Sequence, residues 1–587
     1  MNMLSDLAQY ARQAGLASRV GYKTKQAKWT IVISSQSKFV HLLEGDRTYD
    51  SAPHLEQGQL IAGGETRSHF LLDSLQVVAA MGEEKVQKKH TCFVEMLKKA
   101  GAHEPLLLVC ARFLADPDQL ILLREAVASQ KAKPTDSATI RVGEQYVIAL
   151  TTWHEWWEGY LAAIKAPPQD VNSMLCLMTG NEVEPNPTHP KISGLHVAGG
   201  QSSGTVLIGF DKDAFASYDL EQGMNAACSH QASTIYRDVL NHLIGQAAPP
   251  LAGSVYLHWY RKPIPRADDL LDFAAFDLPE SDEHNAHLKA RGLLESIHTG
   301  KRTDIGENQY YVLQVSAVGG RIMVRDWFSD SIRALATNIT LWFDDLTLVN
   351  ANGWGRAEGG KFRAFLMRLV SYRNNERISD TFARIDNELP SANRALWHSI
   401  LRARSLPHIV ASRALNHIRS RLLQEGDSAN LDRMACALLK TWICREERQR
   451  GEITTMTPDL NTTHPSPAYH AGRMMAVLAA LQQSALGDVG AGVVQRYYAA
   501  ASTTPALVLG RLVKSAQFHL NKLDKGLAYW YEDKLATISV GMGTDLPATL
   551  SLEEQALFAL GYYQQKASLN SRHGKRKSET EEDENGN

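Results

Sequence analysis

The chain has 587 residues, enough to bury several separate cores, and at about 150 residues per domain three or four domains are expected. Its 44% hydrophobic and 21% charged residues exclude a low-complexity or fibrous protein, and its most apolar run, Pro105–Ala115, is broken by Arg112 and falls short of the roughly 18 residues that cross a bilayer. The formal charge of -2 conceals an asymmetry: the last nine residues carry five acids, and without them the remainder stands at +3.

More telling is Lys361 to Arg421, with twelve basic residues against four acidic ones, Glu376, Asp380, Asp386 and Glu388. Such an excess fits phosphate binding, because each neutralised phosphate releases condensed counterions, and it fits a solvated helix face equally well. Six cysteines lie scattered without a C-x-x-C pair, so neither a disulfide framework nor a zinc knuckle is expected. An amphipathic start around Tyr10 and Arg12 reads as a first helix and not as a signal peptide, so a soluble, cytoplasmic protein with no membrane partner is expected.

The fold class expected is α+β: a mixed α/β N-terminal part with several small sheets, followed by an all-α helical bundle. Boundaries are expected at 1–150, 151–360, 361–570 and a disordered tail 571–587. In the first part, Gly21 to Lys28 reads as a basic turn ahead of the strand Trp29–Ile33, and Gly63 to His69 as a second turn ahead of Phe70. Lys23, Lys25, Lys28, Thr66, Arg67, Ser68 and His69 in these turns are the side-chain types that reach phosphates and base edges. Val86–Lys99 and Pro117–Ser129 read as helices, the second capped by Asp116, and Ala138–Leu150 as a strand.

In the second part Trp153, Trp156 and Trp157 read as a packing cluster, a helix is expected around Tyr236, Leu240 and Leu243, and a strand over Ser254–Tyr260. Asp268–Ala290 reads as an exposed connection. Gly319-Gly320 separates two strand-like runs as a hairpin turn, and by period two Arg321, Met323, Arg325 and Trp327 would share a face able to hold nucleic acid. From about Lys361 the periodicity is helical. Leu509, Leu512, Val513, Ala516, Leu520 and Leu523 follow helical spacing after Pro505, and Ser551 with Glu554 forms a capping-box pattern.

The sequence offers no credible catalytic centre. Gly200-Gln201-Ser202-Ser203-Gly204 matches the G-x-S-x-G nucleophile elbow, which requires a strand before the serine and a helix after it. Here the strand-like Thr205-Val206-Leu207-Ile208 follows, so a serine-dependent hydrolase using Ser202, with His189 or His196 nearby in sequence, is the alternative reading and not the leading one. No H-E-x-x-H, His-Asp or P-loop pattern is present. No catalytic residue, metal site or cofactor is expected.

Cys176-Leu177-Met178-Thr179-Gly180, His189-Pro190-Lys191-Ile192-Ser193-Gly194, Gln201-Ser202-Ser203-Gly204, Ala214-Phe215-Ala216-Ser217-Tyr218 and Glu221-Gln222-Gly223-Met224-Asn225-Ala226 resemble, in order and spacing, the large subunit of the type I-C CRISPR Cascade complex. Ala468 to Arg473, Ala500 to Pro505 and Leu552 to Gln565 resemble the same family's helical end. The chain departs from the pattern at Gly209-Phe210-Asp211 and at Asp219.

The resemblance implies a non-enzymatic subunit of an RNA-guided surveillance complex, in which base pairing reads the target and the protein reads a short adjacent motif. The implied partners are CRISPR RNA, target double-stranded DNA, backbone and handle-binding subunits, a small subunit made from the same gene, and a helicase-nuclease. On this reading the two N-terminal loops recognise the motif. Arg321, Arg325, Arg402, Arg404, Arg413 and Arg421 line a nucleic-acid backbone. Lys191, Gln201, Ser202 and Asn225 touch RNA or a partner. Met456 or Met474 would start the small subunit.

Overall fold

The computed structural model describes residues 3–16, 21–55, 60, 66–164, 173–216, 218–271, 280–299, 301–357, 359–360, 362–425, 431–487, 492–544 and 546–584, with the backbone alone for 280–287 and 572–584. The chain forms two compact units: Met1–Pro190 with Ile208–Leu240, and Lys191–Leu207 with Asn241–Asn587. The class is α+β, with small sheets in the N-terminal half and helices towards the C-terminus.

In the first unit α1 (Met3–Gln13) buries Leu4, Leu7 and Ala11 at helical spacing. The stretch expected as a basic turn is the outer half of a strand. β1 (Tyr22–Ile33) pairs antiparallel with β2 (Phe39–Pro53), from Tyr22 opposite Pro53 to Ile33 opposite Phe39. Ladder hydrogen bonds satisfy the backbone while Lys23, Thr24 and Gln26 stay exposed and Tyr22, Ala27 and Trp29 are buried. Polar composition alone therefore misled, because it reports an exposed ribbon as readily as a turn.

The sheet runs β2-β1-β4-β3, with β3 (Leu72–Ser74) antiparallel and β1 parallel to β4 (Ser137–Val142). The strand expected over Ala138–Leu150 stops at Val142: Gly143 turns the chain at φ +56 into a short β5 (Gln145–Tyr146), and a 3-10 turn follows at Val147–Ala149. Between β3 and β4 lie α2 (Glu84–Ala100), α3 (Pro105–Ala115) and α4 (Pro117–Ser129). The Asp116 carboxylate accepts the Asp118 N–H at 3.1 Å, the cap that the sequence indicates.

After α5 (His154–Ile164) the unit contains the two-residue strands β6 (Met174–Leu175) and β7 (Glu182–Val183). Trp153 and Trp157 are fully buried, and Trp157 stacks on Phe70 at 5.5 Å and donates its indole N–H to the Gly21 carbonyl at 2.8 Å. The tryptophans are packing anchors. Burying one such side chain stabilises by about 2–3 kcal/mol before its ordering entropy is counted.

The second unit holds a five-stranded sheet in the order β10-β11-β12-β9-β8. It comprises β8 (Lys191–Ile192), β9 (Thr205–Val206), β10 (Val255–Tyr260), β11 (Gln309–Val318) and β12 (Arg321–Ser331). Gly199 sits at φ +91, and a Cβ there would lie 2.4 Å from the Ala317 carbonyl oxygen. Glycine is required because the loop backbone approaches β11 this closely.

The connection expected to be exposed over Asp268–Ala290 includes buried Leu270, Leu271 and Ala290. The backbone from Glu280 belongs to a helix that ends at His298, and residues 272–279 lie outside the described ones. The hairpin at Gly319-Gly320 forms as expected, with a departure in β12. Gln314 pairs with Asp326 and Val315 with Val324, so Arg325 is the extra residue of a β-bulge. The bulge shifts the alternation by one and puts Trp327 opposite Leu313, away from the face of Arg321 and Met323. The shared face read from period two is therefore not formed.

Helices then dominate. The long ones include α6 (Ile332–Leu346), α7 (Ile378–Glu388), α8 (Pro390–Arg402), α9 (His408–Glu425) and α10 (Arg433–Gln449). They continue as α11 (Pro467–Leu486), α12 (Val493–Ala501), α13 (Pro505–Leu520), α14 (Lys525–Met542) and α15 (Leu552–Glu584). α11 is the axis of the last group, packing against α12, α13, α14 and α15. The capping box is formed: the Ser551 N–H donates to Glu554 Oε2 at 2.7 Å and the Glu554 N–H to Ser551 Oγ at 3.3 Å. The side chains of 572–584 and all of 585–587, where the sequence suggests a tail, lie outside the described residues. Among the described residues no helix is long and apolar enough to cross a membrane.

Candidate nucleic-acid interface

In the first unit, three of the residues singled out from the sequence converge on one place. The Lys25 ammonium donates to the Pro53 carbonyl at 2.8 Å, and the Leu55 N–H donates to His69 Nδ1 at 3.3 Å. The neighbouring His54 ring stacks on His69 with centroids 5.0 Å apart. Burial, then the positive charges of Lys25, Lys23 and Arg237, push the His54 imidazole down to about 2. Burial with Lys25, Lys89 and Lys23 pushes His69 down to about 3. Both rings are neutral at pH 7, so they add hydrogen-bonding edges to a cluster whose charge comes from lysine and arginine.

Thr66 and Arg67, three and two residues before His69 in the chain, line a cavity of about 720 Å³. Its remaining wall is one face of α2, with Glu84, Lys88, Thr91, Glu95 and Lys99, and the end of α5 with Tyr160 and Ile164. Lys88 is ion-paired with Glu84 at 2.7 Å. The helix contribution is absent from the sequence reading, although its signal is there: residues 84, 88, 91, 95 and 99 recur at helical spacing as an all-polar stripe.

Two other expected residues sit elsewhere. Lys28 pairs with Asp136 at 2.9 Å, where the Trp29 indole N–H also donates at 3.0 Å, so its charge is already matched. Ser68 is fully buried, with a hydroxyl that has no partner among the described residues, so it does not face solvent. Gly63, Gly64 and Glu65 lie outside the described residues.

In the second unit the basic excess of 361–421 is largely neutralised from within. Arg368 pairs with Asp432 at 3.0 Å, Arg384 with Glu376 at 3.1 Å and Arg394 with Asp326 at 2.8 Å. Of the expected track, Arg413 pairs with Glu388 at 3.2 Å, and Arg421 with Glu425 at 2.8 Å and Asp432 at 3.2 Å. Arg402 donates to the Trp327 carbonyl at 3.3 Å and lies over the Phe328 ring at 4.9 Å. Arg404 alone of these four is exposed and has no side-chain partner among the described residues. Sequence counting missed this because Asp326, Glu425 and Asp432 lie outside the window. Lys361 lies outside the described residues. On β12, exposed Arg325 donates to Ser316 Oγ at 2.7 Å, and Arg321 is half-buried.

In the second unit Lys191, on β8, and Gln201 and Ser202, in the β8–β9 connection, are exposed. Asn225 belongs to the first unit, where its amide donates to the Leu220 carbonyl at 3.1 Å. Ser202 occupies a turn between a 3-10 helix, Leu195–Ala198, and β9, so a strand follows the serine as the sequence reading has it. His189 is buried and fixed, its ring hydrogen-bonded to the Tyr236 hydroxyl at 2.7 Å and to the Ala226 carbonyl at 3.2 Å. Among the described residues no three His, Cys, Asp or Glu side chains are arranged to hold a metal.

Compared with known families, residues 4–570 match the model described as CRISPR-associated protein (Cas_Csd1). Among curated proteins nothing matched. The match spans nearly the whole chain and takes in both units, and the chain accordingly belongs to the Cas_Csd1 family of CRISPR-associated proteins.

Proposed function

We propose that this chain is the non-enzymatic large subunit of a type I-C Cascade complex, which binds the 5′ handle of CRISPR RNA and reads the short motif beside the target in duplex DNA. The observation that carries the reading is the convergence of Lys23, Lys25 and His69 on one cationic cluster, with Arg67 two residues before His69 in the chain and lining the cavity against α2. Lysine and arginine hold phosphates, while neutral imidazole edges and a guanidinium suit base edges, the combination that a short-motif reader needs. Target sequence would be read by base pairing, and a separate helicase-nuclease would cut. The C-terminal helices would follow the displaced strand, and a second copy of them, translated from within the gene, would be the small subunit.

The test is co-expression of the tagged chain with a CRISPR array and the neighbouring genes. Recovery of CRISPR RNA and stoichiometric partner subunits on the tag supports assembly. A chain that purifies alone, or with RNA unrelated to the array, contradicts it. Specific labelling of Ser202 by a fluorophosphonate would favour a hydrolase instead.

A further inference from the structure

Two cysteines that lie far apart in the sequence meet in the first unit. Cys176 follows β6 and opens the turn into β7, where the Gly180 N–H donates to its carbonyl at 2.8 Å with Gly180 at φ +71. Cys228 lies just ahead of the helix His230–Gln246. One residue along from each, the Leu177 N–H donates to the Ala227 carbonyl at 2.8 Å, and the Asn186 N–H donates to the Cys228 carbonyl at 2.8 Å, so the two backbones run side by side. The thiols themselves are in contact, the Cys228 S–H donating to the Cys176 sulfur. Both are buried and both are free thiols.

The two sulfurs differ in kind. Burial alone would raise the Cys176 thiol, but the Thr179 hydroxyl and the backbone N–H groups of Ser229, Met178 and Thr179 donate to its sulfur and bring it below the ordinary thiol value. Burial, then the Cys176 sulfur, push Cys228 up to about 12. Burial raises Cys110, Cys436 and Cys444 as well. Of these five, Cys176 therefore holds the largest thiolate fraction, and the thiolate is the nucleophile. Its cover is thin: β6 and β7 have two residues each, and Leu175 and Leu177 on either side are 67% and 49% exposed. A hairpin held by so few ladder bonds opens locally at low cost, which admits a small oxidant. A four-ligand metal fits less well, since among the described residues no group of three His, Cys, Asp or Glu is arranged to hold one.

We propose that Cys176 and Cys228 are a peroxide-responsive pair, which closes as a reversible disulfide and clamps the β6–β7 turn to the segment leading into the helix His230–Gln246. The Cys176 thiolate attacks one oxygen of hydrogen peroxide: the S–O bond forms, the O–O bond breaks, and the leaving hydroxide takes up the thiol's proton as water. Cys176 is oxidised by two electrons to a sulfenic acid, and the peroxide is reduced. The Cys228 sulfur then attacks the Cys176 sulfur. The S–S bond forms, the S–O bond breaks, and the leaving hydroxide takes the Cys228 proton to give a second water. Two thiols and one hydrogen peroxide thus yield one disulfide and two waters. The modification needs no nucleic acid, so it stands or falls separately from guide-directed assembly.

The experiment treats the purified, reduced full-length chain with hydrogen peroxide, alkylates the remaining thiols and maps tryptic peptides without reduction. The expected product joins Ala166–Lys191 to Asp213–Arg237, the peptides that carry Cys176 and Cys228, and dithiothreitol separates them. Cys228→Ser leaves Cys176 as a sulfenic acid, which a cyclic dione traps several-fold faster than at Cys110 of the same chain. In oxidised wild type, exchange of the Leu177 amide with solvent slows about tenfold, because the turn that carries it is clamped. The wild-type map needs no variant, so it decides the matter even where Cys228→Ser is unstable. Absence of the joined peptide from folded, oxidised wild type, or its formation no faster than other cysteine pairings, overturns the proposal. Equal trapping at Cys176 and Cys110, or an unchanged Leu177 amide in the disulfide form, overturns it as well.

Discussion

The imidazole rings of His54 and His69 stack 5.0 Å apart, and both are held neutral by burial and by the surrounding lysines. In the unfolded chain each takes a proton below about 6.5, but in the folded chain only below about 2 and about 3. The unfolded state therefore binds more protons across that window, and the first unit loses stability as pH falls through it. Amide exchange of the β1–β2 ribbon should accelerate steadily from about pH 6.5 downwards relative to the second unit, after correction for intrinsic rates. His54→Asn with His69→Gln should flatten that pH dependence, and an unchanged profile would show that the pair does not govern it.

Arg404 and Arg421 should behave oppositely. The Arg404 side chain has no hydrogen-bond or ion-pair partner among the described residues, so Arg404→Ala should leave the melting temperature within about 1–2 °C and any effect should fall on nucleic-acid binding and its salt slope. Arg421→Ala removes one of the two arginines paired with the buried carboxylate of Asp432, which keeps Arg368 and the Ala435 N–H. A loss of about 1–3 kcal/mol is expected in chemical denaturation, because a buried charge loses a hydrogen-bonded partner.

The two internal methionines are separated by structure. Gln564 on α15 donates to the Thr457 and Pro458 carbonyls at 2.7 and 3.1 Å, and the Asn461 N–H donates to the Tyr469 hydroxyl at 3.1 Å. A product starting at Met456 keeps these contacts and the whole of α11. One starting at Met474 loses the first part of α11, including Tyr469 and Gly472 that meet α15. Met456→Leu should abolish a short C-terminal product detected with a C-terminal tag, and Met474→Leu should not; the opposite result would assign the start to Met474.

Gly472 is where α11 and α15 touch backbone to backbone. A Cβ at Gly472 would lie 1.9 Å from the Phe558 carbonyl oxygen, and one at Gly561 would lie 2.0 Å from that of Tyr469. Gly472→Ala must push the helices apart and should cost about 1–3 kcal/mol or more, read as a lower denaturant midpoint. An unaltered midpoint would mean that the helices already sit further apart.

Helix positions were legible because caps and periodicity are local: Asp116, Pro117, Ser551 and Glu554 mark their ends without reference to the rest of the chain. The β1 ribbon was not, since Lys23 to Lys28 becomes strand only by pairing with residues 47–53. The bulge at Arg325 is invisible to a period-two count for the same reason: it is defined by the partner strand. At the candidate site, Lys23, Lys25 and His69 were found by composition, whereas His54, Lys89 and Arg237 enter only through tertiary proximity. The basic window from 361 misled because charge counts along sequence ignore the acids that fold against it.

The most direct test of the central claim uses the complex loaded with CRISPR RNA and two duplex targets that differ only in the adjacent motif, bound by wild type and by Arg67→Ala at moderate salt. Wild type should favour the correct motif. Arg67→Ala should lose about 1–3 kcal/mol of that discrimination while retaining CRISPR RNA. Undiminished motif preference in Arg67→Ala and in Lys23→Ala would show that this cluster does not read the motif.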